Sequence, residues 1–265
     1  MSTIEISGLS RRFGKFTAVD HLDLQVQGTE VFGLLGPNGA GKTTTIKMLT
    51  TLLPPSSGKA SIGGYDIVER AKEVRGVIGY VPQMLSADPA LTGRENLTIF
   101  AKLYDVPRSQ RADRVQDAIE KMGLVDFGDK QVRTYSGGMI RRLEIAQSTL
   151  HRPRVLFLDE PTVGLDPIAR RTVWEMVKLL RDDYGTTIFL TTHLMDEADL
   201  LCDRIGIMHK GKLVALGTPR ELKEEVGAST LDDVFVAHAG TTLESSNGGN
   251  YREIQRERRT AQRLG

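Results

Sequence analysis

One cysteine, Cys202, occurs in the 265 residues, which excludes an intramolecular disulfide. With no signal-peptide pattern in residues 1–12, the chain is expected in the reducing cytosol, and Cys202 reads as a small buried apolar residue. No segment approaches the roughly 18 consecutive apolar residues that a spanning helix requires, so any membrane role needs a partner chain. Neither sign of charge is in excess: 35 basic residues stand against 34 acidic ones, for a net charge of +1. No global field therefore favours nucleic acid or an anionic membrane surface, and partners must be argued from local sites. What is present is ample apolar material, 40% of the residues, enough for one large α/β unit with a subdomain.

The most informative stretch is Gly36-Pro37-Asn38-Gly39-Ala40-Gly41-Lys42-Thr43-Thr44, directly after the apolar run Val31-Phe32-Gly33-Leu34-Leu35. It reads as a strand feeding a phosphate-binding loop and matches G-x-x-x-x-G-K-[ST] in full. Gly36, Gly39 and Gly41 let the backbone turn tightly and aim successive N–H groups inward, and this nest continues into a helix N-terminus. Lys42 is expected on the β- and γ-phosphates, the Thr43 hydroxyl on a bridging Mg²⁺, and Thr44 on a further phosphate oxygen.

Ahead of that loop, alternating runs in residues 3–10 and 18–27 read as half-buried antiparallel strands. Phe13 and Phe16 lie between them, and either could stack on a base or simply pack. After it, a helix is expected over 42–53 until Pro54-Pro55, another over 69–75, and a buried strand over 77–81 that Pro82-Gln83 breaks. Residues 84–148 change character. Thr92-Gly93-Arg94-Glu95 forms a capping box opening a helix through Tyr104, and 108–122 makes another, so this is an inserted helical region with Leu91, Leu97, Phe100, Leu103, Ile119 and Met122 as its core. Ser136-Gly137-Gly138 precedes a helix over 140–150; it is either a second phosphate site or an N-cap after a flexible turn.

Val155-Leu156-Phe157-Leu158 reads as a buried parallel strand ending in Asp159 and Glu160. Ligands of open α/β sheets bind at that strand edge, so Asp159 suits Mg²⁺ and Glu160 suits polarising a water. Asp166-Pro167 suits a helix start, and the helix over 168–181 is expected to bury Val173, Met176, Val177 and Leu180. Another buried strand over 186–192 delivers His193 to the same edge, where a γ-phosphate contact is expected. A helix over 195–201, two strands around the turn at 209–212 and a helical piece over 218–237 follow. Residues 241–265 read as a polar, Arg-rich, disordered tail after a nucleotide-binding domain over 1–240.

Taken in order, these pieces resemble the ATP-binding cassette (ABC) family over residues 3–237. Gly36–Thr44 is similar to the Walker A loop, Gln83 to the Q-loop glutamine, Ser136-Gly137-Gly138 to the signature motif, Val155–Glu160 to Walker B, Gly164-Leu165-Asp166 to the D-loop, and His193 to the switch histidine. The resemblance implies an α/β P-loop core with a mainly parallel sheet, an N-terminal antiparallel β subdomain and an inserted helical subdomain over about 84–148. It implies ATP and Mg²⁺ as cofactors, with Thr43, Gln83 and Asp159 around the metal and Phe13 against adenine. Glu160, His193 and Lys42 become the catalytic residues, and Asp166 joins the nucleotide-contacting set. By the same likeness two copies dimerise head to tail, each ATP closed by Ser136–Gly138 of the other copy. Transmembrane permease subunits on separate chains then hold the protein at the cytoplasmic face of the membrane.

Two departures stand out. The signature reads Tyr135-Ser136-Gly137-Gly138-Met139 where Leu-Ser-Gly-Gly-Gln is usual, and Phe13 replaces a more common tyrosine. The Tyr-Ser-Gly-Gly-Met form, with Thr230-Leu231-Asp232-Asp233-Val234-Phe235, resembles the bacterial drug-export subfamily exemplified by daunorubicin-resistance ATPases. The expected function is thus an exporter ATPase. A soluble ABC ATPase of DNA repair, chromosome organisation or translation is the first rival, opposed by the absence of long heptad arms between Lys42 and Asp159 and of a second cassette. A module that holds ATP without turnover is the second, opposed by Glu160 and His193.

Overall fold

In the computed structural model, residues 2–244 are described, with side chains through 239. In chain order the elements are β1 (Ser2–Phe13), β2 (Phe16–Gln27), β3 (Val31–Leu35), α1 (Lys42–Leu49), β4 (Ser57–Ile62), β5 (Tyr65–Asp66), α2 (Ala71–Val77) and β6 (Ile78–Val81). Three helices follow, α3 (Gly93–Leu103), α4 (Arg111–Lys121) and α5 (Gly137–Thr149). The chain then runs through β7 (Val155–Asp159), α6 (Pro167–Tyr184), β8 (Thr187–Thr192), α7 (Met195–Leu201), β9 (Arg204–His209), β10 (Lys212–Gly217), α8 (Pro219–Val226) and α9 (Leu231–Glu244).

Two sheets organise these elements. The first is antiparallel, in the order β2-β1-β4-β5; the second has the order β10-β9-β3-β8-β7-β6 and is parallel except for β10. Every residue of β3, β7 and β8 is buried, as expected where both faces of a parallel sheet are covered. The alternation of side chains splits the core in two. Phe32, Leu34, Phe157 and Phe189 face the antiparallel sheet and α1, while Leu35, Leu156, Leu158, Ile188 and Leu190 face α5, α6 and α7. Phe189 bridges its neighbours on the first face, with ring centroids 5.3 Å from Phe32 and 5.4 Å from Phe157. The helical region shares the second core rather than building its own, because Leu97, Ile119 and Met122 are continuous with the sheet face.

Most of the expected elements are found, and the α6 stripe is Val173, Met176, Val177 and Leu180 as the 3.6-residue period requires. Asp166 caps that helix by accepting from the Ile168 and Ala169 N–H groups, and Gly185 ends it in a left-handed conformation. The differences have local causes. The helix after the glycine-rich loop stops at Leu49 instead of Leu53, since Thr51 takes φ 63°, and Leu52 is exposed. Leu103 is 69% exposed and is no core residue: it lies at the last position of α3, off the buried Leu97–Ala101 side. The 218–237 piece is two helices, broken at Gly227 with φ 64°, and the second continues to Glu244. The remainder of the expected tail, 245–265, lies outside the described residues.

Candidate functional site

The parallel sheet delivers four chain segments to one edge: the loop after β3, the Pro82-Gln83 break after β6, Asp159-Glu160 at the end of β7, and His193 after β8. The loop after β3 needs its glycines for distinct reasons. A Cβ on Gly36 would lie 2.3 Å from the Met208 carbonyl oxygen, and one on Gly41, at φ 110°, 2.5 Å from that of Ala18. Gly39, at φ 80°, faces open space. The Ala40 carbonyl accepts from the Gly211 N–H at 2.9 Å, which ties the loop to the β9–β10 turn. Gly41 then caps α1 with no side-chain hydrogen bond, and no acidic residue occupies the first turn, so this helix end stays favourable to an anion.

Glu160 is the meeting point. Its carboxylate lies 3.4 Å from the Lys42 ammonium, 3.3 Å from His193 Nδ1, and accepts from the Gln83 amide at 3.1 Å. Lys42 also donates to the Gly36 and Pro37 carbonyls at 2.7 and 3.2 Å. Beside this group, Asp159 accepts from the Thr43 hydroxyl at 3.2 Å and from the Thr191 hydroxyl at 2.6 Å. Burial, together with the charge of Asp159, pushes the Tyr80 phenol up to about 12. The neutral hydroxyl is therefore its form at physiological pH.

An open cavity of about 400 Å³ lies over the loop, lined by Asn38, Gly39, Gly41, Lys42, Thr43, Thr44, Gln83 and Glu160, with Phe16 and Ala18 beyond them. Phe16 lines it and Phe13 does not; the Arg11 guanidinium lies 4.6 Å from the centre of the Phe13 ring. Gly36, Pro37 and Ala40 do not line it; Gly36 and Ala40 are buried and Pro37 is exposed. Among the described residues no group of three or more His, Cys, Asp or Glu could hold a metal alone. The Thr43 hydroxyl and the Asp159 carboxylate, 3.2 Å apart, are the kind of one or two protein oxygens that Mg²⁺ takes when phosphate and water complete its shell.

Ser136, Gly137, Gly138 and Asp166 are not brought to this cavity. Ser136 accepts from the Met139 N–H as the N-cap of α5, and its neighbour Gly137 is exposed. A Cβ on Gly138 would fall 2.7 Å from that of Ala169, so the start of α5 packs directly on the start of α6. Tyr135 is buried, donating to the Phe127 carbonyl at 2.7 Å and meeting the Phe127 ring edge-on at 6.2 Å. Its hydroxyl fills the space that a Gly93 side chain would need, the two being 2.4 Å apart for an added Cβ.

Two further groups around the site escaped the sequence reading. Arg141 on α5 donates to the Pro82 and Gln83 carbonyls at 2.7 and 2.9 Å and pairs with Glu144 at 3.1 Å, both side chains being buried at 4% and 1% exposure. Glu144 also accepts from the Ser86 N–H and hydroxyl. Burial pulls the Arg141 guanidinium down and pushes the Glu144 carboxyl up, each opposed by the other's charge. Glu197 on α7 is the second group, buried among Thr162, Trp174 and Thr192. An arginine and glutamate three apart on a helix read from sequence as a solvated pair, and nothing local marked either group.

A strand, a glycine-rich loop, a helix N-terminus and a carboxylate pair at the end of β7, one strand removed in the same sheet, define a P-loop nucleotide-binding α/β protein. The chain belongs to the ABC transporter family, which is matched over residues 19–163, and is one of its ATPase subunits. It is 45% identical, over 88% of its length and 74% of the relative's, to the daunorubicin resistance ATP-binding protein DrrA3 of Streptomyces coeruleorubidus. The linearmycin resistance ATP-binding protein LnrL of Bacillus subtilis (strain 168) is 38% identical, with 88% and 75% covered. Among solved structures, the ATP-binding subunit of an ABC transporter superposes with a TM-score of 0.81 at 28% identity, covering 90% of this chain and all of that one.

Proposed function

We propose that this chain is the ATP-hydrolysing subunit of an exporter of hydrophobic drug-like, polyketide, lipid or glycan cargo, acting as a head-to-tail dimer on permease chains. One observation carries the reading: the Glu160 carboxylate touches Lys42, Gln83 and His193 at the mouth of the cavity over the glycine-rich loop. There it can take a proton from a water aimed at the γ-phosphate, while Lys42, His193 and the α1 N-terminus stabilise the charge that develops. Thr43 and Asp159, whose oxygens already approach within 3.2 Å, would hold Mg²⁺ with Gln83 nearby. Bound there, the ion neutralises β- and γ-phosphate charge. Adenine would stack on the hairpin between β1 and β2, where Phe16 reaches the cavity.

The exposed Ser136 and Gly137, beside the exposed Val163-Gly164 and Ile168, support a surface that closes the site of a second copy. Met84 and Leu85, exposed directly after Gln83 at 82% and 54%, support a permease contact linked to nucleotide state. Among the described residues no helix is long and apolar enough to cross a membrane, so the cargo path is assigned to the partners.

The test is phosphate release with Glu160→Gln as control. Loss of a general base lowers kcat by about 10²–10⁴-fold, with ATP binding retained. Equal rates in the two proteins would refute hydrolysis at this site. Ser136→Arg in the Glu160→Gln background is expected to abolish ATP-dependent dimerisation; a dimer that persists would refute the shared site.

A further inference from the structure

Glu197 lies on the side of β8 away from the cavity, and its carboxylate is fully enclosed. From there it joins the end of β8, the segment after β7 and α6, behind the direct His193–Glu160 contact. One oxygen accepts from the Thr162 hydroxyl at 2.6 Å and from the Trp174 indole N–H at 2.8 Å; the other accepts from the Thr192 hydroxyl at 2.7 Å. Thr192 in turn accepts from the Leu194 N–H at 3.0 Å, and this closes the turn that carries His193. Thr162 sits two residues past Glu160, in the segment running to Asp166, and Trp174 is on the helix that Asp166 caps. A carboxylate supplies acceptors on both oxygens, which is what three converging donors require.

We propose that Glu197 is a positioning residue that couples His193 to the Thr162–Asp166 segment, so that engagement of the γ-phosphate at one site adjusts the surface offered to the second copy. The inference rests on the reading of His193 as a γ-phosphate contact. The coupling element is short and rigid: a movement of His193 drags the Thr192 hydroxyl, the shared carboxylate follows, and the Thr162 turn and α6 are pulled with it. Trp174 is the only tryptophan of the sequence, so its emission reads the state of this carboxylate without a label.

The experiment uses the Glu160→Gln protein with ATP or ADP, following dimerisation by light scattering and Trp174 emission by fluorescence. ATP, and not ADP, is expected to shift the emission. Thr192→Val abolishes that shift and weakens ATP-dependent dimerisation by at least about tenfold, the loss of one hydrogen bond to a charged acceptor. Thr162→Val weakens dimerisation by a similar factor but keeps the emission shift, because the path from His193 to Trp174 is intact. Thr192→Ser, which retains the hydroxyl, restores both. ADP affinity stays within about twofold throughout, whereas a merely structural role would lower ADP and ATP binding together. The coupling is overturned if both valine variants dimerise normally, if ADP affinity falls in step with ATP affinity, or if the parent dimerises without an emission shift. A parent that fails to dimerise with ATP refutes the γ-phosphate reading itself, and the coupling falls with it.

Discussion

Replacing Arg141 by methionine is the most informative perturbation of the scaffold, because one side chain holds the segment that carries Gln83. The guanidinium makes two hydrogen bonds, 2.7 and 2.9 Å, to the Pro82 and Gln83 carbonyls and one ion pair at 3.1 Å to Glu144. Methionine refills the volume of the stem but leaves two carbonyls without donors and a buried carboxylate without its cation. Removing one partner of such a pair costs about 3–5 kcal/mol, a large share of the roughly 5–15 kcal/mol that a folded domain has in total. Glu144 retains Ser86, which keeps the cost from rising further. The pH dependence has a definite sign. Burial already raises the Glu144 pKa above its ordinary 4.5, and losing Arg141 removes an opposing charge, so the folded variant binds a proton more tightly than the unfolded chain. The deficit of Arg141→Met is then largest at neutral pH and shrinks as the pH falls toward 5. Urea unfolding followed by Trp174 emission measures it. The double variant Arg141→Met/Glu144→Gln removes the unpaired charge and keeps an acceptor for the Ser86 N–H, recovering about 1–3 kcal/mol. Its kcat stays low, since Pro82 and Gln83 remain unanchored. A cost under about 1 kcal/mol for Arg141→Met, or a double variant that regains activity along with stability, would refute the clamp.

Two further outcomes follow from the geometry. Phe16→Ala is expected to weaken binding of a fluorescent ATP analogue by about 1–3 kcal/mol in stacking, roughly 5- to 160-fold, and Phe13→Ala by less; the reverse order would return the adenine contact to Phe13. His151 stacks on Tyr104 with centroids 4.0 Å apart, and its Nε2–H donates to the Ile78 carbonyl at 2.9 Å, while burial lowers its pKa below 6.5. The unfolded chain therefore takes up a proton first, and stability falls as the pH drops below 6.5, by at most about 1.4 kcal/mol per unit. His151→Phe keeps the stack and should flatten that part of the urea-midpoint profile relative to the parent; identical slopes would show that His151 does not titrate there.

The parts assigned to phosphate were legible because their chemistry is local. A glycine-rich turn before a lysine and a threonine has one good use, and a carboxylate pair closing an apolar strand has few. The strands β3, β7 and β8 were legible as short apolar runs covered on both faces, and the α6 stripe because burying one side of a helix imposes a period. Links between elements have no such signature. Glu197 follows Asp196 in an acidic first turn, so it reads as ordinary helix-start charge; only the crossing of α6 behind β8 encloses it. Arg141 and Glu144 interrupt an apolar stripe that otherwise explains α5, and their use depends on where Pro82 ends β6. Phe13 and Phe16 pair across the hairpin, two aromatic rings three residues apart that sequence alone does not distinguish.

The same distinction explains why Glu160 can serve where its neighbour cannot. Asp159 is the last residue of β7, and its side chain leaves the sheet in the ordinary alternation to meet Thr43 and Thr191. Glu160 has left the strand. Its φ is 49°, in the left-handed region that a residue with a Cβ occupies at a cost of about 1–2 kcal/mol, and its N–H is shared between the Thr191 carbonyl and hydroxyl, both at 3.1 Å. That turn swings the carboxylate along the sheet edge instead of perpendicular to it, so that one group reaches Lys42 after β3, Gln83 after β6 and His193 after β8. Thr191 thus holds both carboxylates, Asp159 through its hydroxyl and Glu160 through its backbone. The strain at Glu160 is held in place by contacts from segments after three strands, and the position of the proposed base is set by the sheet rather than by the loop in which it sits.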